Sequence, residues 1–190
     1  NINNGKAAKP AKAVMLTFDD GYISFYTEVF PLLKKYNIPA MLSVIGSWMS
    51  GDKPQEAGEL VTWEQLKEMQ SSGLVTIASH SYALHRWVEI NPFGDKSIPA
   101  QSRFFINGRY ESEEAFRSRL QFDFQRAQQQ LEKNLGQPAK FLVWPYGGYN
   151  EDARKVVEEA GFTSTFALNT AVNEITENSS KLGQRGLILY

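Results

Sequence analysis

Short apolar runs alternate with longer segments of helical periodicity along most of this chain, and this alternation constrains the fold more than any other feature. Continuous apolar runs are typical of strands buried on both faces, and intervening helices return the chain so that such strands pair in parallel. The runs predict strands at 13–18, 40–45, 74–79, 141–144, 162–167 and 187–189. This alternation of strands and helices indicates an α/β barrel, complete or partial.

The segments between the strands carry helix signals. Thr62 and Gln65 form a capping-box pattern, and Ser112 is an N-cap candidate. Pro31 predicts that the first helix starts late or is kinked. The predicted helices span 24–36, 63–73, 112–135 and 150–160. No periodicity holds from 81 to 111, which predicts a long loop of the kind that is usually functional or disordered.

Length and composition exclude several classes of protein. The 190 residues correspond to one domain, which we place at 13–190, with 1–12 as a linker or cut end. The charges nearly cancel, with 20 basic and 21 acidic residues, so a nucleic-acid partner recruited by bulk charge is excluded. No apolar stretch reaches the roughly 18 residues of a membrane span. The chain has no cysteine, which excludes disulfides and thiolate chemistry.

Chemically active side chains follow three of the predicted strands. Asp19 and Asp20 end the first strand, and His80 follows the third, with His85 five residues later. A Pro-Tyr-Gly-Gly turn at 145–148 follows a later strand. Because active sites of such folds lie at the carboxyl ends of the strands, we expect these groups to meet on one rim.

Two imidazoles and one carboxylate form a typical catalytic site for a divalent transition metal such as Zn, Co, Ni or Fe. A second carboxylate near the metal can accept the proton of the attacking water. Five residues on a helix would separate His80 and His85 by roughly 140°, so these two side chains must converge through a turn. At this stage either Asp19 or Asp20 can serve as the ligand, with the other as the base.

Each of these patterns has a purely structural alternative. Asp-Asp-Gly after a strand is commonly a turn or a helix cap, and a single histidine is commonly structural. Both histidines of the chain lie within six residues after a strand, and this favours the metal site. A phosphoacceptor receiver domain also begins with strand-Asp-Asp, but it needs an aspartate after the third strand, where this chain has His80.

At these residues the sequence resembles the polysaccharide deacetylase family, the NodB-homology group of carbohydrate esterases. Residues 17–21 match the first motif of that family in full, and the resemblance extends over most of the chain. Further local matches lie at 44–48, 78–81, 109–111 and 143–147. The resemblance implies a distorted or partial (β/α) barrel of the polysaccharide deacetylase type. It is strongest to the branch that acts on poly-β-1,6-N-acetyl-D-glucosamine in biofilm export.

The resemblance also implies residue roles. Asp19 would be the general base, and Asp20, His80 and His85 would bind one divalent transition metal ion. The backbone N–H of Tyr146 would help to hold the tetrahedral oxyanion.

Three departures from the wider family affect these expectations. The two histidines are five residues apart rather than four, a spacing associated with the same branch. Val143 and Trp144 occupy the stretch where an arginine normally orients the base, and Arg185 is a candidate substitute. The general acid of the family is a third histidine, which this chain lacks. We therefore expect the domain at 13–190 to be incomplete at its N-terminus and the activity of this chain to be low.

Aromatic side chains near the rim are candidates for stacking on sugar rings. They are Tyr22, Trp48, Trp87, Tyr146 and Tyr149. Packing in the core is the alternative for each, and Trp87 and Tyr149 are the better candidates because they lie in predicted loops.

The expected function is metal-dependent N-deacetylation of a poly-N-acetylglucosamine exopolysaccharide of the biofilm matrix, with release of acetate. The alternatives are a deacetylase of chitin oligomers or peptidoglycan, and a truncated glycan-binding module with little turnover. The resemblance implies an exported protein of the periplasm or outer membrane of a Gram-negative bacterium, whose signal peptide lies outside this chain. It also implies a C-terminal glycan-binding domain in the full-length protein.

Overall fold

The fold is organised around a six-stranded sheet in which every strand pairs in parallel with its neighbours, in the order Leu16–Phe18, Ala40–Val44, Val75–Ser79, Phe141–Val143, Ser164–Ala167 and Leu182–Gln184. The computed structural model describes residues 14–168 and 182–184. The strands are β1 (Leu16–Phe18), β2 (Ala40–Val44), β3 (Val75–Ser79), β4 (Val88–Glu89), β5 (Lys96–Ser97), β6 (Phe105–Ile106), β7 (Arg109–Tyr110), β8 (Phe141–Val143), β9 (Ser164–Ala167) and β10 (Leu182–Gln184). The sheet and its helices form a partial (β/α) barrel, as the sequence predicted.

Five α-helices accompany the strands within the described ranges. They are α1 (Phe30–Tyr36), α2 (Gly46–Met49), α3 (Trp63–Ser71), α4 (Glu113–Leu135) and α5 (Glu151–Glu159). A π-helical segment, Phe25–Val29, leads into α1. Pro31 lies in the first turn of α1, where a missing N–H removes no hydrogen bond of that helix. None of these helices is long and apolar enough to cross a membrane.

The predicted caps begin and end the helices. Thr62 and Gln65 form the reciprocal capping box of α3, with Oε1 of Gln65 accepting from the Thr62 N–H at 2.8 Å. Ser112 accepts from the Ala115 N–H at the start of α4. Gly136 ends that helix at a φ of 80°, a conformation that glycine adopts without a Cβ penalty.

The core lies between the sheet and its helices. Its largest fully buried side chains include Phe116 and Phe124 from α4 and Leu142 and Trp144 from β8 and its end. The ring of Phe124 meets that of Trp144 edge-on at 5.9 Å. Truncating such a buried aromatic residue to alanine costs about 3–5 kcal/mol, so this layer holds α4 firmly against the sheet.

The segment 81–111 departs from the predicted unbroken loop. It contains two small antiparallel hairpins, β4–β5 and β6–β7. Asn107 and Gly108 connect β6 to β7 with φ values of 53° and 76°. Asn-Gly is a strong hairpin-turn signal because both residues tolerate positive φ, so this hairpin was predictable from the sequence. The strand predicted at 187–189 lies outside the described residues.

Candidate metal centre

The carboxyl ends of β1 and β3 bring Asp20, His80 and His85 into one cluster. Oδ1 of Asp20 lies 3.6 Å from Nε2 of His80 and 3.6 Å from Nε2 of His85. One ligand atom from each of the three residues lies within 4.8 Å of the others. Strands β1 and β3 flank β2, so parallel pairing places both ends on the same rim.

A turn with unusual backbone angles directs the side chain of Asp20. Asp20 and Gly21 have φ values of 72° and 83°, and the Gly21 N–H donates to the carbonyl of Asp19. A Cβ on Gly21 would lie 3.0 Å from Cγ1 of Val44, so a side chain at this position would be strained and crowded. This conformation directs the side chains of Asp19 and Asp20 in different directions. The sequence predicted that the two side chains diverge, but it did not show which of them joins the histidines.

His80 presents Nε2 to the cluster because its other ring nitrogen is engaged. The side chain is 3% exposed, and Nδ1 lies 2.8 Å from the carbonyl oxygen of Val143. A carbonyl can only accept, so Nδ1 carries the proton and Nε2 the lone pair. Burial lowers the pKa of His80, an effect partly opposed by Asp19 and Asp20. The neutral imidazole is the form that binds a metal.

His85 is held by two aromatic rings. Its ring stacks on Tyr146 with centroids 4.3 Å apart and meets Trp48 edge-on at 5.3 Å. Nδ1 lies 3.3 Å from the Tyr146 hydroxyl, which leaves Nε2 facing Asp20. Burial lowers the pKa of this imidazole as well. The two histidine rings converge to 5.2 Å through a turn.

The donor set fits a divalent transition metal. It consists of two neutral imidazole nitrogens and one carboxylate oxygen, with second-sphere partners that orient both rings. Three protein ligands leave coordination positions for water and substrate, as catalytic sites require.

Asp19 lies beside the cluster and has a different partner. Its Oδ1 accepts a hydrogen bond from Oγ of Ser43 at 2.7 Å, and its charge partly opposes the lowering by burial of the pKa of both His80 and His85. Ser43 is fully buried in β2, the strand between the two that carry the cluster. Ser43 was not among the predicted site residues, although a hydroxyl in an otherwise apolar strand is a usable signal.

The five aromatic candidates occupy different environments. Trp87 is 55% exposed and lies 5.2 Å from the ring of Tyr146, itself exposed, so these two form an open aromatic surface beside the cluster. Trp48 is 8% exposed and packs with Ile45, while Tyr22 is half-buried at 6.3 Å from it. Tyr149 stacks on the core residue Trp144 with centroids 5.0 Å apart.

The turn after β8 places Tyr146 over His85. Tyr146 has a φ of 54°, uncommon for a residue with a Cβ. Gly147 follows with a φ of 72°, and a Cβ there would lie 2.7 Å from the backbone of Leu168. The backbone of Tyr146 was a predicted part of the site, whereas the contact of its ring with His85 was not predicted. Arg185 lies outside the described residues.

Comparison with known proteins identifies the family of this fold and site. The sequence profile of the family described as polysaccharide deacetylase matches residues 6–165. The chain therefore belongs to the polysaccharide deacetylase family, as its first motif indicated.

Individual relatives point in the same direction. The poly-β-1,6-N-acetyl-D-glucosamine N-deacetylase of Escherichia coli K12 is 32% identical, over 94% of this chain and 28% of that protein. The structure of a de-N-acetylase from Aggregatibacter actinomycetemcomitans is 36% identical, with a TM-score of 0.90, over 98% of this chain and 74% of that one. The BpsB deacetylase domain of Bordetella bronchiseptica is 35% identical, with a TM-score of 0.91, over 98% and 75%. This chain thus spans only about a quarter of the length of the curated relative.

Proposed function

We propose that this chain is a metal-dependent N-deacetylase of poly-β-1,6-N-acetyl-D-glucosamine that releases acetate and leaves free amines on the glycan. The observation that carries the proposal is the convergence of Asp20, His80 and His85 around one point, with the carboxylate of Asp19 beside it. The relatives named for this activity support the choice of glycan.

In this proposal Asp20, His80 and His85 hold one divalent transition metal ion, which is Zn, Co, Ni or Fe. A metal bound in such a site lowers the pKa of water and polarises the carbonyl under attack. The burial that keeps both imidazoles neutral supports this assignment, because only the neutral ring offers a lone pair to a metal.

Asp19 is proposed as the general base. A base must stand within hydrogen-bond reach of the proton that it removes, and Asp19 borders the cluster. The hydroxyl of Ser43 holds one carboxylate oxygen of Asp19 and thereby orients the other. The backbone N–H of Tyr146 is proposed to stabilise the oxyanion, on a turn whose conformation is shaped by Gly147.

The open surface of Trp87 and Tyr146 is proposed to stack on sugar rings of the glycan. Aromatic rings offer a flat apolar face next to polar groups, which suits the apolar faces of pyranose rings. Tyr22, Trp48 and Tyr149 are the other proposed substrate-side aromatics. Of these, Trp48 contacts the ring of His85 directly.

We propose the following context for the protein from its resemblance to the poly-β-1,6-N-acetyl-D-glucosamine branch of the family. The deacetylase domain extends over 13–190 and is incomplete at its N-terminus. The protein is exported, acts on the exopolysaccharide in the periplasm or at the outer membrane of a Gram-negative bacterium, and carries a C-terminal glycan-binding domain in its full-length form.

Acetate release from defined oligomers tests the proposal. Metal-stripped and metal-restored protein would be incubated with β-1,6-linked N-acetylglucosamine oligomers, chitin oligomers and peptidoglycan fragments. We expect acetate from the β-1,6-linked oligomers, only with metal. Preference for chitin or peptidoglycan would contradict the choice of glycan. Binding of the β-1,6-linked oligomers without any acetate release would contradict the proposed enzymatic activity and support a glycan-binding module.

A further inference from the structure

A buried carboxylate outside the cluster holds the turn between the two histidines. Asp123 lies on α4 and is 6% exposed. Its Oδ1 accepts from the Tyr82 N–H at 2.8 Å, and its Oδ2 accepts from the Ala83 N–H at 2.7 Å. These two amides lie midway between His80 and His85, so one side chain of a core helix fixes the centre of that turn.

The turn needs such support because its backbone is strained. Ser81 is fully buried and has a φ of 67°, a conformation that costs a residue with a Cβ about 1–3 kcal/mol and persists only where the surroundings enforce it. Within the turn, the Leu84 N–H donates to Oγ of Ser81 at 3.2 Å.

Two backbone hydrogen bonds hold the carbonyl groups of the same turn. The N–H of Gly46 donates to the Ser81 carbonyl at 3.0 Å, and the N–H of Ser47 donates to the Tyr82 carbonyl at 2.7 Å. These bonds come from the start of α2, and those of Asp123 come from α4, so the turn is clamped between two elements.

The carboxylate of Asp123 is retained although its charge is costly at this depth. Burial raises its pKa to about 6, while the two N–H donors and the nearby Arg119 and Arg86 oppose the rise. A carboxylate is the side chain that can accept from two adjacent amides through two oxygens without offering a competing donor. An apolar side chain would leave both amides without this acceptor.

We propose that Asp123 is a positioning residue of the metal centre. By clamping the amides of Tyr82 and Ala83, it sets the separation and the direction of the two imidazoles that the five-residue turn carries. This inference rests on the proposed metal site and assigns Asp123 no contact with metal or substrate.

Gln128 supplies a matched control on the same helix. It is also buried and also holds two backbone groups, since its Oε1 accepts from the Ala139 N–H at 2.8 Å and its Nε2 donates to the Ala139 carbonyl at 2.9 Å. These bonds hold the segment before β8, and neither of them touches the histidine turn. A purely structural role for Asp123 would make Asp123→Asn and Gln128→Leu behave alike.

The test measures metal binding in both variants. Zn²⁺ affinity is obtained by competition with a chelating dye, and the Co²⁺ absorption spectrum reports ligand geometry. We expect Asp123→Asn to weaken Zn²⁺ binding by at least about tenfold, as loss of second-sphere support typically does, and to change the Co²⁺ bands. Gln128→Leu should lower thermal stability and leave both readouts unchanged.

Unchanged Zn²⁺ affinity and Co²⁺ bands in Asp123→Asn would overturn the inference, as would equal changes in the Gln128→Leu protein. Asp123→Ser, which removes the charge without adding an amide donor, is the second variant if Asp123→Asn does not fold. A wild-type chain that binds neither metal would instead refute the proposed function, and the inference with it.

Discussion

Metal binding should stabilise this fold measurably, and Asp20→Asn should remove most of that gain. A ligand that binds only the folded state stabilises it by RT ln(1 + [L]/Kd), which is about 4 kcal/mol at a thousandfold excess over Kd. For a chain of 190 residues, each kcal/mol raises Tm by about 2–4 °C. Zn²⁺ should therefore raise the Tm of the wild type by about 8–16 °C.

Asp20 is the ligand that can be changed with the least damage to the fold. The side chain is 22% exposed, and asparagine preserves its volume, whereas truncating His80 would leave the Val143 carbonyl without its imidazole donor. Loss of the only anionic ligand should weaken binding by at least about 100-fold, beyond the 10–100-fold of outer-sphere changes. At the same Zn²⁺ concentration this removes about 2.7 kcal/mol, or two thirds of the thermal shift.

The assay is thermal unfolding followed by circular dichroism on chelator-treated protein, with and without added Zn²⁺. Asp52→Asn, a change of the same chemistry at an exposed position, is the matched control and should keep the full shift. A full shift in Asp20→Asn, or no shift in the wild type, would refute the assignment of Asp20 as a metal ligand.

Three further predictions follow from the same geometry. Asp19→Asn should keep one metal ion per chain and reduce acetate release by about 10²–10⁴-fold, and loss of the metal would show that the two aspartates have exchanged roles. Both histidines of the chain lie in the cluster, so neither is left to protonate a leaving group, and hydrolysis of a series of aryl acetates should slow steeply as the pKa of the leaving group rises; a flat dependence would reveal an acid within this chain. The pKa of Asp123 rises from 3.8 to about 6 on folding, so the folded state binds more protons in this window and the contribution of this group to stability falls as the pH rises through it. The stability of the wild type relative to Asp123→Asn should therefore fall by about 2 kcal/mol between pH 4 and pH 7 in urea titrations, and a constant difference would contradict the raised pKa.

Much of the fold followed from local pattern. The apolar runs predicted strands that the structure places at β1, β2, β3, β8 and β9, and the capping residues Thr62 and Ser112 began their helices as expected. These signals are strong because they depend on neighbours three or four residues away. The parallel order of the strands predicted that the site residues lie on one rim of the sheet. The first motif predicted the family.

Contacts between residues far apart in the sequence could not be predicted from local patterns. Nothing near Asp123 in sequence shows that it meets the amides of residues 82 and 83, forty positions away. The bond from Ser43 to Asp19 likewise joins two different strands. The separation of Asp19 from Asp20 depends on a positive φ that the Asp-Asp-Gly string permits without requiring.

Aromatic residues were equally ambiguous in the sequence. Trp48 and Trp87 look alike as tryptophans near strand ends, yet one packs in a buried cluster and the other lies open beside Tyr146. Burial is decided by which elements pack against a loop, and that information appears only when the tertiary contacts are known.

Anomalous diffraction from crystals grown with Zn²⁺ tests the central claim most directly. Data collected above and below the zinc absorption edge locate the ion independently of any assumption about its ligands. We predict one strong peak within about 2.0–2.2 Å of Nε2 of His80, Nε2 of His85 and a carboxylate oxygen of Asp20. A strongest peak elsewhere, or one bonded to Asp19 in place of Asp20, would contradict it.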